Sequence, residues 1–110
     1  MNIFKEIIEG KVPADKVYED DNILAIKDIA PKAPVHILII TKKPYRSLQD
    51  IPDEELTIMQ DIVKVAKTLA EKFSIEEGYR FISNVGSDSG QEVKHLHFHL
   101  IGGKKLGAMA

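Results

Sequence analysis

The chain contains no cysteine and no tryptophan. The missing thiols exclude a disulfide scaffold, a thiol nucleophile and any zinc site built on thiolates. A small domain without disulfides suits a reducing compartment, so a cytoplasmic protein is expected. Long apolar runs are missing too. The longest aliphatic stretch, Ile37 to Ile40, falls far short of the roughly 20 apolar residues that cross a bilayer. Lys5, Glu6 and Glu9 break up the first ten residues, so neither a signal-peptide core nor a membrane contact is expected. Charge of one sign is scarce: 15 basic and 17 acidic residues are spread evenly, for a net charge of -2. No field of that size holds a nucleic-acid backbone, which leaves small substrates or proteins as partners. What the chain does have is 44% hydrophobic residues in a length of 110. That is enough apolar material for one packed domain over residues 1–110.

Ile3, Phe4, Ile7 and Ile8 follow Asn2, a good N-cap, at helical spacing and stop before Gly10, which predicts a short amphipathic helix. Lys16 to Glu19 and Ile23 to Lys27 read as strands joined by the turn formers Asp20-Asp21-Asn22. Pro31 and Pro34 make Asp28 to Pro34 an ordered loop, and the β-branched run Val35 to Thr41 is the best central strand. Pro52 with Asp53, Glu54 and Glu55 suits the start of a long helix. Its apolar stripe runs through Leu56, Met59, Ile62, Val63, Ala66, Leu69, Ala70 and Phe73. Tyr79 to Asn84 reads as a strand, 85–90 as a Gly/Ser/Asp loop, and Val93 to Ile101 as the last strand. The class is α+β, an antiparallel sheet of about five strands with one long and one short helix.

Three of the four histidines are His95, His97 and His99. On a strand they share one face, about 7 Å apart, with Leu96, Phe98 and Leu100 on the other. One reading is an exposed face that happens to carry histidine. A second is a metal site with His36 as a further ligand, although the strand brings no acid nearer than Glu92 to orient the rings. A third is covalent catalysis: neutral imidazole is a competent nucleophile towards phosphorus, and flanking imidazoles can donate protons. The loop Gly86-Ser87-Asp88-Ser89-Gly90-Gln91 is expected to add backbone N–H groups that cradle an anion.

The His-x-His-x-His pattern, preceded by Gly90-Gln91-Glu92-Val93 and followed by Leu100-Ile101 and Gly102-Gly103, resembles the histidine triad (HIT) superfamily. Within it, the Hint branch of nucleoside phosphoramidate hydrolases is the most similar. The likeness continues through Ile3-Phe4 and Ile7, Asp28-Ile29 with Pro31, Ala33-Pro34-Val35-His36, Gly78-Tyr79-Arg80 and Asn84 to Gly103. The galactose-phosphate uridylyltransferase branch ends its triad in glutamine, whereas this chain has His99. The diadenosine-polyphosphate hydrolase branch usually lacks the double glycine.

The resemblance implies a HIT-like fold and a hydrolase in which His97 attacks the α-phosphorus of a purine nucleoside phosphoramidate, such as AMP joined to lysine, to form a nucleotidyl-histidine. It implies that His99 and His36 flank the phosphate and that His95 holds His97 in its reactive tautomer or orientation. Asn84, Gly90, Gln91 and Val93 are implied on the phosphate and leaving-group side, Asp28 at the ribose hydroxyls, and Ile3, Phe4, Ile7, Ile26 and Ile29 in an apolar slot for the base. It also implies a two-fold homodimer. Zinc-binding relatives use cysteines near the N-terminus, so no metal is expected here, and no cofactor. Glu92 stands where several Hint-like proteins have serine, on the leaving-group side, and the residues after Gly103 contain no aromatic. The alternatives are a dinucleoside-polyphosphate hydrolase and a nucleotide-binding regulatory module with incidental catalysis.

Overall fold

The computed structural model of the chain describes residues 2–109. Helix α1 spans Ile3–Ile8, strands β1 to β3 span Lys16–Glu19, Ile23–Lys27 and Val35–Thr41, helix α2 spans Ile58–Lys72, and strands β4 and β5 span Tyr79–Ile82 and His97–Gly102. The five strands form one sheet in the order β1-β2-β3-β5-β4, antiparallel at every pairing. The fold is α+β. Among the described residues, no helix is long and apolar enough to cross a membrane.

Local chemistry sets the first elements. The Asn2 side chain accepts the Lys5 N–H at 3.1 Å and caps α1. Asp20 Oδ1 accepts the N–H groups of Asn22 and Ile23 at 2.7 and 2.8 Å, which turns β1 into β2. Strand β3 is buried on both faces. Ile37 and Ile39 join Ile23, Ala25, Phe98 and Leu100 in the core, together with Ile62, Val65, Ala66, Leu69 and Ala70 of α2. Leu38 and Ile40 join Leu24, Ile26 and the α1 residues Phe4 and Ile7 on the opposite face. Gly102 packs closely, because a Cβ there would stand 3.0 Å from Ile75 Cδ1 and 3.1 Å from the Gly78 carbonyl, and one of them would have to shift.

Four expectations need correction. Helix α2 begins at Ile58, and Asp53–Glu55 form a separate 3-10 turn, which leaves Leu56 exposed. Val63 is 43% exposed while Val65, absent from the expected stripe, is 5% exposed. One step beyond Ile62, Val63 turns about 100° away from the sheet, whereas Val65 swings back to within about 60° of Ile62. The last strand begins at His97 rather than Val93, because the His95 N–H turns back to the Val93 carbonyl and the Leu96 N–H goes to the Tyr45 carbonyl. Similarly, β4 stops at Ile82, short of Asn84.

Candidate active site

The sheet register assembles the site. His97 pairs with Ile40 and His99 with Leu38, and His36 stands two residues from Leu38 on the same face of β3. This face is not purely chemical as the alternation suggests, because it carries its own small core under α1. The histidines extend that core into a cleft of about 510 Å³. Ile3, Phe4 and Ile7 of α1 and Ile26 of β2 form one wall. Asp28 and Ile29 come from the β2–β3 loop, and Asn84, Gly90, Gln91, Glu92 and Val93 from the segment before β5. His36, His97 and His99 line the floor, and Ile29 stands fully exposed at the rim. His95 does not line the cleft, and its ring is buried behind His97. Lys27, Ala30, Lys32 and Leu38 also line it, residues that the sequence reading missed. Leu38 was findable from the period-two spacing after His36, whereas Lys32 carries no such signal.

Hydrogen bonds to groups of known polarity determine the tautomers. His97 Nδ1 lies 2.7 Å from the His95 carbonyl, which only accepts, so Nδ1 carries the proton and Nε2 keeps its lone pair. His95 therefore touches His97 through its backbone and not its ring. The His95 ring has Nε2 2.6 Å from the Thr41 carbonyl and Nδ1 2.8 Å from the Asn2 amide nitrogen. The Lys32 N–H donates to His36 Nδ1 at 3.0 Å, which puts the His36 proton on Nε2, 2.9 Å from His99 Nδ1. His99 accepts there and holds its own proton on Nε2. Phe4 meets His97 edge-on with the ring centres 4.8 Å apart.

Burial lowers the pKa of all four imidazoles. For His36 the Asp28 charge partly opposes it, for His97 the His95 carbonyl and then the Asp28 charge do so, and for His95 the Thr41 carbonyl does. His99 is pushed down to about 4, by burial first and then by His97 and His36. The cluster is neutral at pH 7, and a neutral imidazole with a bare Nε2 is a nucleophile.

The histidine strand itself brings no acid nearer than Glu92, but across the sheet Asp28 Oδ2 lies 3.4 Å from His36 Nε2, while its Oδ1 accepts the Ala30 N–H at 2.8 Å. The donor atoms of Asp28, His36 and His99 fall within 4.8 Å of one another, close enough for a cation by distance. Their hydrogen bonding argues otherwise, since a cation on His36 Nε2 would displace its proton onto Nδ1, against the Lys32 N–H. The glycine loop also departs from expectation. The N–H groups of Gly86, Ser89, Gly90 and Gln91 are bonded within the loop, so they are not free to cradle an anion. Gln91 is the staple, with Oε1 accepting from Gly86 and Nε2 donating to the Arg46 and Val93 carbonyls.

The HIT domain model matches residues 9–106. A HIT-like protein of Chlamydia pneumoniae is 50% identical over 110 residues, covering 100% of both chains. A protein of Escherichia coli K12 named purine nucleoside phosphoramidase is 44% identical over 108 residues, covering 97% of this chain and 91% of its own. The crystal structure of a HIT family hydrolase from Legionella pneumophila superposes with a TM-score of 0.93 at 44% identity, covering 97% of this chain and 96% of that one. With the triad, its flanks and the fold all in agreement, the chain belongs to the HIT superfamily, on its Hint-like branch, and is a HIT family hydrolase.

Proposed function

We propose that the chain hydrolyses purine nucleoside phosphoramidates, such as AMP joined through a P–N bond to lysine or another amine, by way of a nucleotidyl-His97 intermediate. The observation that carries this reading is the bond from His97 Nδ1–H to the His95 carbonyl, which leaves Nε2 bare in a ring kept neutral by burial. His97 Nε2 forms a bond to the α-phosphorus as the bridging nitrogen, protonated from solvent, takes the electron pair of the breaking P–N bond and leaves as the neutral amine. His97 gains positive charge in this step, and the His95 carbonyl stabilises it through Nδ1–H. His99 Nε2–H donates to a phosphoryl oxygen, its tautomer held by His36. Water then attacks phosphorus and gives up a proton to solvent, the P–Nε2 bond breaks with its electron pair returning to Nε2, and the nucleoside monophosphate leaves.

Asp28 accepts from the ribose hydroxyls, for which a carboxylate is suited. Ile3, Phe4, Ile7, Ile26 and Ile29 take the base. The name of the Escherichia coli relative supports the amide over the polyphosphate as substrate. We also propose a two-fold homodimer, in which the exposed Leu56 and Val63 meet a second copy of the chain.

Incubation with adenosine 5′-phosphoramidate of lysine should release lysine and AMP, and a denaturing alkaline quench, which spares a P–N bond to imidazole, should trap a nucleotidyl adduct on His97. His97→Asn should abolish both while melting like the parent. Cleavage at the parental rate in that variant would sink the mechanism. Faster turnover of a dinucleoside polyphosphate than of the amide would move the substrate class.

A further inference from the structure

Asn2 uses both ends of its side-chain amide. Oδ1 caps α1 by accepting the Lys5 N–H, and Nδ2 lies 2.8 Å from His95 Nδ1, across 93 positions of sequence. The polarity of the second bond is set from the far side of the ring. The Thr41 carbonyl, 2.6 Å from His95 Nε2, only accepts, so Nε2 holds the proton, Nδ1 is bare, and Asn2 donates. At 1% exposure, the His95 ring is closed off from solvent between these two partners. The His95 carbonyl in turn receives the His97 Nδ1–H. Phe4, in the first turn of the same helix, lies edge-on to both rings, at 6.1 Å from His95 and 4.8 Å from His97.

We propose that Asn2 is a positioning residue of the phosphoryl-transfer site, clamping His95 as the neutral Nε2–H tautomer and so holding the carbonyl that orients His97. The inference rests on the phosphoramidase reading above. A cap alone needs only an oxygen, and aspartate caps a helix as well as asparagine does. The asparagine amide supplies the cap oxygen and a donor for His95 from separate atoms, whereas the aspartate carboxylate supplies acceptors alone. Aspartate at this position would turn an acceptor towards Nδ1. With Nε2–H still bound to Thr41, the ring would then take a second proton and become an imidazolium. A cation beside His97 opposes the positive charge that His97 gains as it bonds to phosphorus.

The test compares the parent with Asn2→Asp, which keeps the cap, and Asn2→Ala, which removes cap and donor. Nitrogen-15 NMR of the rings at pH 7 should show His95 neutral with its proton on Nε2 in the parent, and doubly protonated in Asn2→Asp. Single-turnover cleavage of the AMP–lysine amide should fall by about 10- to 100-fold in Asn2→Asp, with the Kd for AMP unchanged. Asn2→Ala should lose rate as well and melt earlier. Parental single-turnover rate in Asn2→Asp would overturn the inference and leave Asn2 a helix cap. So would a parent spectrum with the His95 proton on Nδ1, which decides the matter even if the variants fail to fold. Failure of the parent to cleave the amide would overturn the phosphoramidase reading, an outcome distinct from equal rates in parent and variant.

Discussion

Acid should destabilise this fold through His99, because the pKa of that ring falls from the usual 6.5 to about 4 on folding. Between those limits the unfolded chain binds a proton that the folded one refuses, so stability is present above pH 6.5 and is lost as pH falls towards 4. At about 1.4 kcal/mol per pH unit, the loss carried by His99 is at most about 3 kcal/mol. The ring borders an open cleft, and screening by cleft water brings the expected loss to about 2 kcal/mol. For a domain of this size that corresponds to roughly 8 °C in Tm. His99→Asn removes the titrating group while its side-chain oxygen still accepts from His36 Nε2. Thermal unfolding of parent and variant from pH 7.5 to 4.5 should show the parent losing stability faster. Glu19 and Glu55, held below the usual carboxylate range by Lys42 and Lys43, titrate below this window and affect both proteins alike. Parallel profiles would refute the reasoning, since they would mean that His99 is not desolvated on folding.

Asp28→Asn removes the charge that raises the pKa of His36, His97 and His99. The acid limb of activity should therefore move to lower pH, and kcat/KM for a ribonucleoside amide should fall by about 10- to 100-fold as a charged hydrogen bond is lost; an unmoved limb would separate Asp28 from the triad. Gly102→Ala forces a Cβ to within 3.0 Å of Ile75 Cδ1 and 3.1 Å of the rigid Gly78 carbonyl. It should cost about 1–3 kcal/mol of stability by urea unfolding. Light scattering should give twice 12.3 kDa, and Val63→Lys should shift the protein to monomer; a parent monomer at every concentration would reject the dimer.

The parts of the fold that were legible in the sequence are those whose cause is local. The Asn2 cap, the Asp20 turn and the β-branched density of Val35 to Thr41 each act within a few residues, and α1, β1, β2 and β3 lie where those signals place them. The start of β5 depends on a partner far along the chain. The Leu96 N–H goes to the Tyr45 carbonyl, a contact no window around the triad contains. Helical periodicity locates a stripe but not its centre, which is why Val63 and Val65 exchange places.

Strand alternation places His97 and His99 together but cannot distinguish their roles, since three identical side chains at equal spacing look equivalent. Their difference comes from what lies beyond the strand. Thr41 supplies the carbonyl that fixes the His95 tautomer, and Lys32 supplies the N–H that fixes His36 and, through it, His99. Asp28 was closer to legible. Once β2 and β3 are paired with Lys27 opposite Ile37, the next step along each strand sets Asp28 beside His36, and the Asp28 N–H to His36 carbonyl bond follows from that register. A search for acids along β5 alone ends at Glu92, whereas a search across the hairpin reaches the carboxylate that faces the triad. For sites built on a sheet, the productive question is therefore which residues the register sets opposite the chemistry-bearing strand and its neighbour, before asking which residues flank it in sequence.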